Sequence, residues 1–200
     1  MLPSTLPLSP CQGLRSIELT LDDEPMLQRF FDANPEYFLA VQGEPAGLGE
    51  AHDVIHGALP LGWSFSKKWL IGYVDTQNNL VAFADVVSDL LAPGVSHIGL
   101  FMIASSRHGS GDAQLLYRGL ENWAREQGAQ WMRLGVVQGN GRVERFWEAL
   151  GYRPTRTRDG VVMGKRVNTI RVMFKPLAGG TLEQYLSLVE RDRPGMTPTK

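Results

Sequence analysis

Cysteine is almost absent: Cys11 is the only one in 200 residues. One thiol cannot build an internal disulfide framework, and this usage fits a reducing, cytoplasmic setting. Long apolar runs are missing as well, none approaching the ~20 residues of a membrane-spanning helix, so no membrane role is expected. Met1 to Pro10 carries prolines and no basic residue ahead of its apolar positions, so it does not read as a secretory signal and none is expected. Net charge is small, −1 at pH 7, and no internal repeat or low-complexity tract occurs. What remains is the composition of an ordinary globular protein, at a length that suits one domain with a sizeable core.

Against that plain background one stretch stands out. Arg107-His108-Gly109-Ser110-Gly111-Asp112-Ala113 follows the apolar run Ile98-Gly99-Leu100-Phe101-Met102-Ile103, which reads as a buried strand. After it, Leu116, Leu120, Trp123 and Ala124 recur at helical spacing until Gly128 supplies a stop. In a strand, glycine-rich turn and helix, backbone N–H groups without intrahelical partners converge on one point, and the helix dipole adds positive charge. Such a turn suits a phosphate. It is not a Walker loop, because no lysine follows the glycines. Nor is it a dinucleotide fingerprint, because Gln114 breaks the glycine spacing.

The segment His108 to Ala113 instead fits [Gln/Arg]-x-x-Gly-x-[Gly/Ala], with His108 at the first position and Arg107 just before it. It resembles the pyrophosphate loop of the GNAT superfamily of N-acetyltransferases. A second motif of that family, roughly Asn-x-x-Ala-x-x-Phe-Tyr-x-x-x-Gly-Phe after a strand, resembles Asn140-Gly141-Arg142-Val143-Glu144-Arg145-Phe146-Trp147-Glu148-Ala149-Leu150-Gly151-Tyr152, with Trp131 to Val137 as the strand. The likeness covers roughly Trp69 to Pro176. It implies an α/β fold of the mixed (α+β) kind: a central twisted mixed sheet with helices on both faces. It also implies acetyl-CoA as the cofactor and direct transfer to a primary amine, of a small molecule first and of a protein second. Members of the family often dimerise, so a homodimer is implied as well.

The resemblance assigns roles. The backbone of Phe101, Met102 and Ile103 would pair with the pantetheine arm and supply an oxyanion donor. Arg107, His108, Gly109, Ser110, Gly111, Asp112 and Ala113 would meet the pyrophosphate. Asn140 is read equally as a ligand to the pantetheine arm or as a helix cap. Arg142 would face the phosphates, although arginines on a helix face are often solvated or paired. His97 occupies the position where many members carry a glutamate base. An imidazole takes a proton readily near neutral pH, and the alternative is a strand-edge histidine that only hydrogen-bonds. Trp147 departs from the family, standing where a tyrosine usually protonates the thiolate. An indole N–H donates a hydrogen bond but is no acid, and Val143, Phe146, Trp147 and Leu150 also read as a core stripe. That departure motivates a second function, a non-catalytic acyl-CoA-binding regulator. A third is an acyltransferase for a longer chain or another acceptor atom.

Charge divides unevenly along the chain. Residues 1–106 carry 4 Lys/Arg and 12 Asp/Glu, whereas residues 107–175 carry 13 and 6. A basic cofactor half and an acidic acceptor half fit an anionic cofactor and a cationic amine, although a solvated acidic surface is the plainer account. His52 and His56, four apart, resemble part of a zinc-protease motif, but no third ligand follows them, so no metal is expected. The aromatic residues Trp63, Phe65, Trp69 and Tyr73 near Lys67 and Lys68 suggest core or an acceptor wall. Without a strong basic excess there, nucleic acid is not expected.

Strands are expected at 16–20, 68–74, 80–87, 96–103, 131–137, 152–158 and 167–174, the last two turning at Asp159-Gly160. Helices are expected at 21–33, ended by Asn34-Pro35, then 51–59, the stretch after Gly111, the stretch after Asn140, and 181–189. The domain is expected to run from 14 to 178. A flexible extension (1–13) would precede it, and a helix with a loose tail (179–200) would follow.

Overall fold

The computed structural model of the chain describes residues 6–196. Seven strands form one sheet: β1 (Arg15–Glu18), β2 (Lys67–Val74), β3 (Leu80–Ser88), β4 (Val95–Ile103), β5 (Trp131–Val137), β6 (Arg153–Met163) and β7 (Arg166–Pro176), in the order β1-β2-β3-β4-β5-β7-β6. All neighbours run antiparallel except β4 and β5, which are parallel. A parallel pair needs a crossover, and α4 (Asp112–Glu126) provides it. Among the described residues no helix is long and apolar enough to cross a membrane.

Two layers of helices cover the sheet, as the mixed-sheet reading expects. On one face α4 and α5 (Gly141–Ala149) bury Leu116, Leu120, Trp123 and Trp147 against Ile71, Ala84, Ile98 and Leu134. On the other, α1 (Glu24–Ala33), α2 (Glu36–Val41) and α3 (Glu50–His56) pack Leu27, Phe31, Phe38 and Ile55 onto Leu70, Phe83 and Met102. Further along that second face, α6 (Leu182–Leu188) stacks Tyr185 on Phe174, ring centroids 4.9 Å apart. The 3.6-residue spacing read in the sequence is thus the buried stripe of each long helix.

Several expectations need correcting. Pro35 does end α1, but its fixed φ suits a helix start, and it occupies the N-cap of α2, a helix not expected from the sequence. The late hairpin is longer than read. Asp159-Gly160 falls at a register shift between Arg158 and Val161, and the chain reverses instead between Met163 and Arg166, where Gly164 takes φ +55°. Residues 6–13, expected to be flexible, pack on the fold: Cys11 is buried in the α4-side core, and the Ser16 hydroxyl donates to the Pro7 carbonyl. Residues 179–196 likewise cover the sheet, with Tyr185, Val189 and Asp192 buried.

Candidate active site

Strands β4 and β5 pair only from Val95–Trp131 to Ile98–Leu134. Beyond that point they part, and among the described residues the β4 edge from Gly99 to Ile103 has no strand partner on that side. A bulge coincides with the parting, since the register on β3 jumps from Asp85–Leu100 to Val86–Ile98 and leaves Gly99 extra. Bulges re-aim a strand locally. The result is a cleft of about 330 Å³ that passes through the sheet. Phe101, Ile103, Val143, Phe146 and Trp147 line it on the α4–α5 side; Asn34, Glu36, Tyr37 and Ala40 line it on the α1–α2 side, with Met102.

At the cleft mouth lies the glycine-rich turn. Gly109 and Gly111 take φ +82° and +90°, angles that glycine adopts without strain. Arg107 Nη1 donates to Asp112 Oδ2 at 2.7 Å, and the Ser110 hydroxyl donates to the Arg107 carbonyl while accepting the Asp112 N–H. These three side chains therefore shape the loop. The backbone N–H groups of Gly109, Gly111 and Ala113 have no hydrogen-bond partner among the described residues. Three free donors at the start of a 15-residue helix form a ready anion site. His108 lines the cleft beside them.

Asn140 caps α5, its Oδ1 accepting the Val143 N–H at 3.4 Å, and it lines the cleft as well. The helix-cap role read from the sequence is present, and the same residue forms part of the cleft wall. Arg142 lines the cleft from an exposed position. Trp147 is 6% exposed and meets Phe101, Tyr117, Phe146 and Tyr152 edge-on, with centroids 5.0–6.0 Å apart. It is core and cleft wall together.

His97 is not brought to the cleft. It lies on β4 below the parting, with Nδ1 3.2 Å from both the carbonyl oxygen and Nη1 of Arg133. Arg133 is itself locked to Asp192, Nε and Nη2 each 2.8 Å from a carboxylate oxygen, and the Tyr185 hydroxyl donates to the same carboxylate. Burial first and the Arg133 charge second push the imidazole down to about 3. A group that holds a proton so poorly is unsuited to take one from an amine at neutral pH. The strand-edge reading of His97 is the one the geometry favours.

A different carboxylate was missed. Asp85 lies across from Leu100, beside the bulge, on the α1–α3 face of the sheet. A side chain built on Gly99 would come within 3.3 Å of its Oδ2. Its Oδ1 is buried without a hydrogen-bond partner among the described residues, and Lys68 Nζ stands 3.7 Å from Oδ2 while donating to the Val54 and Gly57 carbonyls. Burial raises Asp85 to about 6, and the Lys68 charge offsets only part of that. The signal was present in the sequence: Asp85 is the one charged residue in the apolar strand Leu80–Ser88. The α2 wall had a signal too, in Asn34-Pro35, read only as a stop. The Asn34 side chain accepts the Ser105 N–H at 2.7 Å, and the Ser105 hydroxyl donates to Glu36, so this corner is tied directly to the end of β4.

The sequence matches the family model described as the acetyltransferase (GNAT) family over residues 11–152. No curated protein matches it. Among solved structures, an acetyltransferase from Thermus thermophilus superposes with a TM-score of 0.64 at 22% identity, over 82% of this chain and 97% of that one. The spermidine N-acetyltransferase from Vibrio cholerae, in complex with CoA and spermine, gives 0.62 at 14% identity, over 83% and 96%. The ribosomal-protein-S18-alanine N-acetyltransferase from Escherichia coli gives 0.60 at 12%, over 84% and 97%. At these identities the likeness concerns the fold, and the two specific names differ in acceptor.

Proposed function

The chain belongs to the acetyltransferase (GNAT) family, and from that premise we propose that it transfers the acetyl group of acetyl-CoA to a primary amine of a small molecule, directly within a ternary complex. The observation that carries this reading is the cleft itself. It joins the free N–H groups of the glycine turn, on one side of the sheet, to the α1–α2 wall on the other, through the gap where β4 leaves β5. Cofactor and amine can therefore meet from opposite faces without an enzyme-bound acetyl group.

The residues present fit the cofactor. Three unpartnered N–H groups at Gly109, Gly111 and Ala113 suit a pyrophosphate, and the β4 edge from Gly99 to Ile103 suits an extended amide-bearing arm. Asn140 and Arg142 stand along the same path. When bound, acetyl-CoA supplies an activated acyl thioester. The Phe101 and Ile103 N–H groups, on the β4 edge away from β3, would hold the negative charge that develops on the thioester carbonyl oxygen. Asp85 stands beside the bulge and outside the cleft lining, so it would act through water. It would take one proton from the incoming ammonium and pass it to solvent. The second proton, released from the nitrogen as the amide forms, would go to the departing thiolate. Trp147 has none to give at physiological pH.

A second reading, binding of acyl-CoA without catalysis, is favoured by one observation: Trp147 fills the usual tyrosine position as packed core. Calorimetric titration with acetyl-CoA, followed by free-thiol release across a panel of small amines and peptides, separates the two. Binding with amine-dependent release is expected. Binding with no release on any amine moves the protein to the regulatory reading, and no binding removes both.

A further inference from the structure

His52 and His56 stand four residues apart on α3, and the cleft does not use them. Their rings stack with centroids 4.2 Å apart. The sequence offers no third ligand after them, but the fold supplies one from before. Glu24 opens α1, and its Oε2 lies 3.0 Å from His52 Nδ1 and 3.5 Å from His56 Nε2. All three ligand atoms fall within 4.8 Å of one another.

We propose that Glu24, His52 and His56 bind one divalent transition-metal ion, zinc being the ion that suits them best. A tetrahedral zinc ion with nitrogen and oxygen ligands at about 2.0–2.2 Å needs those ligand atoms roughly 3.3–3.5 Å apart. The two observed separations bracket that spacing. Two imidazoles and one carboxylate form a borderline donor set, which favours zinc and its transition-metal neighbours over magnesium or calcium. Exposure of the three side chains, 35–56%, leaves room for water in the remaining position.

The scaffold is fixed without the metal. The i, i+4 spacing puts both imidazoles on one face of α3. Ala51 and Ile55 on α3 are buried in the same core cluster as Leu27 and Phe31 on α1. Glu24 lies ten residues before Asn34, about 15 Å along the helix at 1.5 Å per residue, so the ion is remote from the cleft corner. Its effect is to staple α1 to α3. The carbonyls of Val54 and Gly57, at the end of α3, in turn hold the Lys68 ammonium.

The test is titration of the tag-free protein with zinc chloride, by calorimetry and by competition with a chromophoric chelator. One ion per chain is expected, with a rise in Tm that magnesium chloride does not reproduce. Glu24→Gln and His52→Ala should each weaken binding at least about tenfold, by analogy with changes around known metal sites. Both residues are partly exposed, so both variants should fold, as circular dichroism and retained acetyl-CoA binding would check. Zinc binding that survives in the His52→Ala, His56→Ala double variant, or no stoichiometric binding in the wild type, overturns the proposal.

Discussion

Asp85 on β3 pairs with Leu100 on β4 at the one point where Gly99 is squeezed out of register. The bulge and the carboxylate belong together: a side chain at 99 would press on Asp85 Oδ2. This sets an acid-base group, raised to about 6 by burial, beside the strand that forms the cleft.

Asp85→Asn should therefore lower kcat by about 100-fold or more, the usual scale for a general base. The carboxylate must be ionised to accept a proton, so wild-type kcat/KM should rise with pH through about 6. That limb should vanish in the variant, while acetyl-CoA affinity stays near the wild-type value. A rate profile that keeps its limb in Asp85→Asn removes this residue from the reaction.

Gly111 tests the glycine turn. Its φ of +90° is costly for any residue with a side chain, although nothing lies within 4 Å of the place a Cβ would occupy. A β-branched residue incurs the left-handed penalty of about 1–2 kcal/mol and re-aims the free N–H groups. Gly111→Val should leave a folded protein with a modestly lower Tm and an acetyl-CoA affinity at least about tenfold weaker. Calorimetry on the folded variant gives the answer, and unchanged affinity would dismiss the loop as the phosphate site.

The sheet, the two long helices and the glycine turn were legible because each rests on local rules. Period-2 and period-3.6 patterns mark faces, and glycine marks positive φ. What escaped depends on contacts far apart in sequence. His97 reads as a base until Arg133, 36 residues on, and Asp192, beyond it, are brought beside it. Glu24 precedes His52 by 28 residues, so no forward motif finds it. Asp85 looks like an oddity in a strand until the bulge on its neighbour gives it a setting. Pro35 misleads for another reason: proline punctuates a helix at either end, and sequence alone favours the stop.

Trp147 separates packing from chemistry. Its indole is buried among four aromatic rings, so Trp147→Ala should cost about 3–5 kcal/mol of stability through the cavity it leaves. Trp147→Phe keeps an aromatic ring in the site and removes the N–H together with the smaller part of the indole. Turnover within a few-fold of wild type in a folded Trp147→Phe protein is the expected result. A loss of about 100-fold, with acetyl-CoA binding intact, would instead assign the indole a part in the reaction.

The Arg133–His97 contact predicts how stability responds to acid. Folded His97 is held down to about 3, by burial first and by Arg133 second, whereas an unfolded histidine titrates near 6.5. Between those values the unfolded chain binds a proton that the native state refuses. The stability associated with the neutral imidazole is complete above about pH 6.5, and it is lost as pH falls toward 3, by at most about 1.4 kcal/mol per unit. Asp85, raised to about 6, works in the opposite sense between roughly 4 and 6, because there the native state holds the extra proton. The comparison must therefore be between wild type and His97→Gln, in which the Asp85 contribution cancels. Urea denaturation at pH 7 and pH 5 should show a smaller acid loss in the variant. Equal losses in the two proteins would mean that His97 is free to protonate in the folded state, which would return it to consideration as a base. Asp192 sets the scale of the surrounding network: Asp192→Ala strands the buried Arg133 charge and should cost about 3–5 kcal/mol at neutral pH.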